Sequence, residues 1–153
     1  MFLQFTAAAL LHLQWQNSSI HNAGAMVNLF LSLAAISGFL AVAIGAFGAH
    51  GLENLLSPES MRTYQTGVQY HFYHSLALFG VALLLLQTGP ERLLSSAGWG
   101  FVIGIILLPG SLYLLSITGI RWLGAITPIG GVAFLVGWGC LLWFAISNRL
   151  TVA

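Results

Sequence analysis

Residues 62–74 read Arg62-Thr63-Tyr64-Gln65-Thr66-Gly67-Val68-Gln69-Tyr70-His71-Phe72-Tyr73-His74. This is the densest polar and aromatic run of the chain, and an unbroken apolar segment follows it from Leu76 to Leu86. A polar run that continues into a long apolar one is typical of a membrane helix whose base stands in the interfacial region. We therefore interpret residues 62–74 as the start of a membrane helix with one face turned toward protein.

The composition places the chain in the membrane. Of its 153 residues, 58% are hydrophobic and 5% are charged, and its mean hydropathy is +0.92. Soluble domains carry about 25% charged residues, so this chain lacks the charges that a soluble surface needs. A net charge of +1 forms no basic patch, and nucleic-acid binding is therefore not supported.

Four long apolar runs predict four membrane-spanning helices. They cover residues 27–49, 69–88, 97–118 and 125–146. The short loops between them favour an all-α, integral membrane, antiparallel four-helix bundle over residues 26–147. Both termini and the loop after the second span then share one membrane side, called side A. The loops after the first and third spans share the other, called side B.

Residues 1–25 form an N-terminal extension to these spans. The apolar run from Phe2 to Leu13 is too short to cross a membrane. A signal peptide begins with a basic region, but no Lys or Arg precedes Arg62. Three interpretations stay open. They are a mis-assigned start with translation from Met26, an interfacial amphipathic segment, and a weak signal peptide.

The second helix carries its own start and stop signals. Ser57-Pro58-Glu59 offers an N-cap serine, a proline at the first helical position and an acid in the first turn, and Gly89-Pro90 follows Thr88. A helix between these signals measures about 46 Å, against a hydrocarbon core of about 30 Å. We therefore expect its first turns to stand outside the hydrocarbon.

Small residues predict where the helices approach closely. In the first span they recur at three- and four-residue spacing, at Ala34, Gly38, Ala41, Gly45 and Ala49. The third span adds Gly100 and Gly104. Pro109 in the same span lacks an amide proton and obstructs the carbonyl of Ile105, so we expect a kink there.

A polar half-face is predicted at the base of the second helix. On a helical wheel it extends from Gln65 to His74, with small residues above it, and we expect it to face the other helices. The same wheel places His71 at the edge of the lipid-facing side. Because successive helices alternate in direction, the polar residues near side B form one candidate cluster: His50, Gln69, Tyr70, Tyr73, His74, Tyr113 and Arg121.

The chemistry of this cluster has two open interpretations. Tyr70 and His74, four residues apart, belong either to an interfacial aromatic belt or to a ligand-binding or proton-handling site. His71 and His74 have a spacing that can chelate a metal, with His50 as a third ligand. However, the wheel turns His71 away from His74 and no carboxylate or thiolate is near, so no metal site is predicted.

Arg121 is the only charge in a very short connection. It is interpreted as a snorkelling anchor or lipid-phosphate contact, as the partner of Glu53 or Glu59 in a buried ion pair, or as a group that captures an anionic head group. The arginines leave the orientation in the membrane open, because they divide equally: Arg92 and Arg149 on side A, Arg62 and Arg121 on side B.

Four blocks of the sequence are similar to those of a known family: residues 45–52, 64–74, 110–113 and 119–131. Together they resemble domain-of-unknown-function family 423, small four-span proteins of bacterial inner membranes with eukaryotic relatives. The resemblance covers about residues 26–147 and implies four transmembrane helices, but no reaction, ligand or catalytic residue. Two departures are residues 1–25, upstream of the usual start, and Pro109, where a serine or similar residue is more usual.

The sequence contains no catalytic constellation: no nucleophile, base and acid occur together, and no span carries an acid. The single cysteine, Cys140, excludes an internal disulfide. We therefore expect neither an enzyme nor a cofactor. The expected role is structural or accessory, as a homo-oligomer or in a larger membrane complex, with membrane lipids as partners. The alternative is a binder or transporter of a lipid, quinone or small solute that uses the side-B cluster.

Overall fold

The structure, a computed structural model, describes the backbone of residues 2–147 and the side chains of residues 24–147. Residues 1–25, which the sequence predicts to be an extension, lie outside the part of the chain whose side chains are described, except for residues 24 and 25. The helices are α1 (Phe2–Gly51), α2 (Pro58–Thr88), α3 (Arg92–Thr118) and α4 (Thr127–Ser147), with a short 3-10 helix (Arg121–Ala125) before α4.

Each of the four long helices is apolar enough to cross a membrane. The candidate spans are Gly24–Gly51, Pro58–Thr88, Arg92–Thr118 and Arg121–Ser147. Connections of a few residues between them make successive helices antiparallel. The predicted fold class, an all-α integral membrane four-helix bundle, is confirmed.

The ends of α2 lie where the sequence predicts them. Ser57 is the N-cap, and its hydroxyl oxygen accepts a hydrogen bond from the Ser60 amide at 3.2 Å. Pro58 occupies the first helical position, where its missing amide proton costs nothing. At the other end Gly89 adopts a φ of 77°, which favours glycine, and its amide donates to the Leu85 carbonyl.

The helices pack chiefly against their neighbours in sequence. α2 packs against α1 and α3, and α4 packs against α3, while α1 touches α3 at few places. α2 and α3 therefore form the centre of the bundle, and α1 and α4 are the outer helices. The largest fully buried apolar side chains include Phe30, Leu78, Val81, Leu85, Leu94 and Phe101. They fill the half of the bundle toward side A, while the other half combines polar and aromatic groups with the buried Leu108 and Leu112.

Glycines bring α3 and α4 into backbone contact, as the pair Gly100 and Gly104 predicts. A Cβ atom added at Gly100 would lie 3.0 Å from the carbonyl oxygen of Ala133, and one at Gly104 would overlap the ring of Phe134. The stripe of small residues in α1 was predicted too broadly. Ala34 and Ala41 are buried, but Ala49 is exposed and nothing packs on Gly38. Helix α3 continues through the buried Pro109.

Candidate functional site

The face that α2 turns toward the bundle is not the predicted polar half-face. Its buried residues on the side-B half are Tyr64, Gly67, His71, His74 and Ser75. Of the predicted half-face only His74 points inward, whereas Gln65, Gln69, Tyr70 and Tyr73 are exposed. Polarity along this stretch therefore does not indicate which side chains are buried.

His71 was wrongly placed at the lipid-facing edge. It is 6% exposed and hydrogen-bonded through both ring nitrogens. Nδ1 lies 3.2 Å from the hydroxyl oxygen of Tyr113 on α3, and Nε2 lies 3.0 Å from Oγ of Ser37 on α1. Ser37 Oγ in turn lies 2.7 Å from Oγ of Ser75, which donates to the His71 carbonyl at 2.8 Å. One connected network therefore joins three helices.

The hydrogen positions in this network follow from its last bond. A backbone carbonyl only accepts, so the single hydroxyl proton of Ser75 goes to the His71 carbonyl, and Ser75 Oγ must accept from Ser37. Ser37 has then donated its proton and accepts from Nε2–H of His71. In a neutral imidazole, Nε2 then carries the proton and Nδ1 accepts from the Tyr113 hydroxyl.

His74 has the opposite tautomer. Its Nδ1 lies 2.8 Å from the carbonyl oxygen of Tyr70, so this nitrogen carries the proton. Its Nε2 accepts from the indole Nε1–H of Trp138 on α4 at 3.3 Å. The ring stacks on Phe134 of α4, with 3.4 Å between ring centroids. His71 thus faces α1 and His74 faces α4, which places the two outer helices on opposite sides of the α2–α3 pair.

Neither inward histidine has a ring nitrogen left for a metal. Each nitrogen of His71 and of His74 has a protein partner within 3.3 Å. Among residues 24–147 no three His, Cys, Asp or Glu side chains come close enough to hold a metal ion.

A groove of about 330 Å³ opens beside the His71 network, between α1, α2 and α3. Its polar lining groups are Ser37, His71 and Tyr113, and almost all its remaining surface is carbon. The apolar walls include Ile36, Leu40 and Ile44 from α1 and Val102, Ile105 and Ile106 from α3. Ile36 and Ile106 on its rim are 57% and 66% exposed, so the groove opens to the outside of the bundle, where lipid lies.

The candidate cluster does not form one site. Only His74 and Tyr113 reach the interior, and they belong to different helix junctions. His50 and Arg121 are exposed, as are Glu53 and Glu59, so the buried ion pair proposed for Arg121 is wrong. Charged ends that stand in head groups or water gain little from burial.

Sequence reasoning missed Ser37, Ser75 and Trp138 as partners of the histidines. Ser37 was the detectable one, because it is the only polar side chain between Leu33 and Ala49. A lone hydroxyl in an apolar run seeks a partner on another helix. Which helix supplies the partner depends on packing, and the sequence does not encode that in a readable pattern.

Comparisons with known proteins agree on the family. The family described as "Protein of unknown function (DUF423)" matches residues 44–131. A UPF0382 membrane protein of Bacillus subtilis, YwdK, is 50% identical over 121 residues, which cover 79% of this chain and 98% of the relative. One from Haemophilus influenzae is 40% identical over 124 residues, 81% of this chain and 98% of the relative.

A third relative carries a location in its name. The UPF0382 inner membrane protein YgdD of Escherichia coli is 41% identical over 122 residues, 78% of this chain and 90% of the relative. No solved structure matches the chain. With the four apolar helices, these relatives identify a multi-pass membrane protein.

Proposed function

The chain belongs to the DUF423 family of membrane proteins of unknown function, and we propose that it binds a lipid-phase molecule in the groove between α1, α2 and α3. The observation that carries the proposal is the pairing of an apolar, outward-opening groove with the hydrogen-bonded His71 and Tyr113 along it. Ligand sites are mostly apolar concavities with a few placed polar groups. Polar groups at membrane depth mark function by default.

The depth of the groove supports a ligand from the lipid phase. Ser37 lies at the middle of the span Gly24–Gly51, and His71 lies about 20 Å along α2 from its first residue. A water-soluble solute would have to leave water to reach this depth. A lipid chain or an apolar ring reaches it from the side, past the exposed rim.

The proposed activity is binding without catalysis. In the ligand-free network the Ser37 hydroxyl donates to Ser75 and not to His71, so Ser37 and His71 are not arranged as a nucleophile and its base. The groove residues include no acid, amine or thiol. A catalytic zinc ion would need free imidazole nitrogens as ligands. The ring nitrogens of His71 and His74 are already hydrogen-bonded to protein groups.

A structural or accessory role in a larger membrane assembly stays a prediction from the sequence. The small-residue faces of α1 and α3 favoured it. Gly100 and Gly104 contact α4 of the same chain, so these two glycines explain packing within one protomer, whereas nothing packs on Gly38 of α1.

Two glycines supply a matched test of binding. Gly110 lines the groove, Gly139 lies exposed on α4, and a Cβ atom added at either would meet no atom within 4 Å. Gly110→Leu should fill the groove, whereas Gly139→Leu adds the same side chain elsewhere. Both changes raise helix propensity to the same extent, so a difference in labelling between the two variants does not come from backbone propensity.

The probe is a phospholipid with a photoactivatable group in its acyl chain, in vesicles of phosphatidylethanolamine and phosphatidylglycerol. We expect adducts on Ile36 and Ile106 to reach a maximum as the share of probe in the vesicle rises, while adducts on Leu83, which is 43% exposed on α2, rise in proportion to that share. Gly110→Leu should reduce the groove adducts to the Leu83 level, and Gly139→Leu should not. Unsaturable groove labelling in all three proteins would overturn the proposal.

A further inference from the structure

We propose that the ligand of this groove presents a carbonyl oxygen to the Tyr113 hydroxyl, and that its binding reverses the hydrogen-bond network and moves the His71 proton from Nε2 to Nδ1. The inference rests on the proposed function, because it names the ligand class for the same groove. The network has two possible directions, which differ in the group that donates in each hydrogen bond, and the number of hydrogen bonds formed differs between them.

Without a ligand, the network has one direction that satisfies four bonds. Tyr113 donates to His71, His71 to Ser37, Ser37 to Ser75, and Ser75 to the His71 carbonyl. The Tyr113 proton is used inside the protein in this direction. Nothing in the groove then offers a donor to a ligand.

The reverse direction keeps three of these bonds. Ser75 donates to Ser37, Ser37 donates to Nε2 of His71, and Nδ1–H of His71 donates to the Tyr113 oxygen across the same distances. Only the bond from Ser75 to the His71 carbonyl is lost. That carbonyl lies within α2, where the amide four residues later is its regular helical partner.

Reversal frees the Tyr113 hydroxyl proton. Tyr113 lines the groove, so the freed O–H can donate to an acceptor held there. A carbonyl ligand restores the count to four. The bond that is lost goes to a backbone carbonyl that keeps its helical amide partner, whereas the bond that is gained goes to a ligand carbonyl with no other donor in the groove, so the bound ligand favours the reversed direction. No net proton is taken up: the imidazole gives its Nε2 proton to water and takes one from water at Nδ1, while the three hydroxyls rotate.

The depth and lining of the groove select the carbonyl class. Charged head groups stay at the membrane surface, and the lining residues include no Lys or Arg to pair with an anion at depth. Ester carbonyls of lipids and ring carbonyls of quinones carry an acceptor on an otherwise apolar body. Both present the same chemistry to Tyr113, and the experiment distinguishes them.

The test measures which ring nitrogen of His71 carries the proton. Protein labelled with ¹⁵N-histidine is reconstituted in nanodiscs of a diether phospholipid, which has no ester carbonyl, and the His71 signal is identified by its absence in His71→Phe. We expect protonated Nε2 in the diether lipid. Exchange into the diester lipid, or addition of a ubiquinone analogue to the diether lipid, should move the proton to Nδ1. If the diester lipid moves the proton, the ligand carbonyl is a lipid ester; if the ubiquinone analogue moves it, the ligand carbonyl is a quinone carbonyl.

Gly110→Leu should keep the proton on Nε2 in every lipid, while Gly139→Leu should behave as the native chain. Tyr113→Phe should weaken binding of the effective carbonyl compound by about fivefold to tenfold, the value of one hydrogen bond of about 1 kcal/mol. The proton staying on Nε2 while groove labelling saturates would overturn this inference and leave the proposed function standing. Loss of saturable groove labelling itself would overturn the proposed function.

Discussion

His71 and His74 lie one turn apart on α2 and connect it to opposite outer helices. His71 Nε2 lies 3.0 Å from Ser37 Oγ on α1, and His74 Nε2 lies 3.3 Å from Trp138 Nε1 on α4. Lipid offers no hydrogen-bond partner, so each inward polar group must find one in the protein. The two histidines therefore set the rotation of α2 against both neighbours within a single turn.

The bond between His71 and Ser37 is expected to stabilise the packing of α1 on α2. In a double-mutant cycle of His71→Ala and Ser37→Ala, we expect a coupling of about 0.6 kcal/mol and at most about 1.7 kcal/mol, the range for hydrogen bonds between membrane helices. The measurement is the free energy of unfolding in bicelles. A cycle of His71→Ala with Trp138→Phe is the control and should be additive within about 0.5 kcal/mol, because these residues share no hydrogen-bond partner. Equal coupling in both cycles would contradict the two-junction arrangement.

The contact between Gly130 and the backbone of α3 is expected to tolerate no side chain. A Cβ atom at Gly130 would lie 2.5 Å from the Leu108 amide nitrogen, and backbone cannot move aside as a side chain can. Gly130→Ala should therefore lower the free energy of unfolding by about 1–3 kcal/mol. Gly131→Ala is the neighbouring control, since its Cβ would lie 3.9 Å from a Leu108 methyl group. The contact is refuted if both variants unfold alike.

The outward direction of the polar half-face is testable on the native chain with two tyrosines of α2. Tyr73 is 60% exposed and Tyr64 is 2% exposed. Lipid-phase or interfacial carbene reagents should therefore modify Tyr73 and spare Tyr64, as read by mass spectrometry of peptides. The reverse pattern would restore the orientation that the helical wheel predicts.

The sequence predicts the fold and the ends of α2, but not which face of α2 is buried. Composition and apolar run length are sufficient for the four-helix membrane fold, because lipid demands long apolar helices. The limits of α2 are also readable, since Ser57 and Gly89 act on their own helix. The inward face is not readable, because Gln69 and His71 are both polar and only the neighbouring helices distinguish them. His71 has Ser37 and Tyr113 within reach, whereas Gln69 is exposed.

The indole of Trp138 is expected to contribute chiefly through its N–H group. Trp138→Phe keeps an aromatic ring beside Phe101, where the native centroids are 5.2 Å apart, but leaves His74 Nε2 without its donor. We expect the free energy of unfolding to fall by about 0.6–1.7 kcal/mol, the range for one hydrogen bond between membrane helices. Trp143→Phe on the same helix is the matched control, because the Trp143 side chain is 62% exposed and should shift stability by less than about 0.5 kcal/mol. Unfolding in bicelles measures both, and an equal loss in the two variants would assign the effect of Trp138 to ring size instead of to its bond with His74.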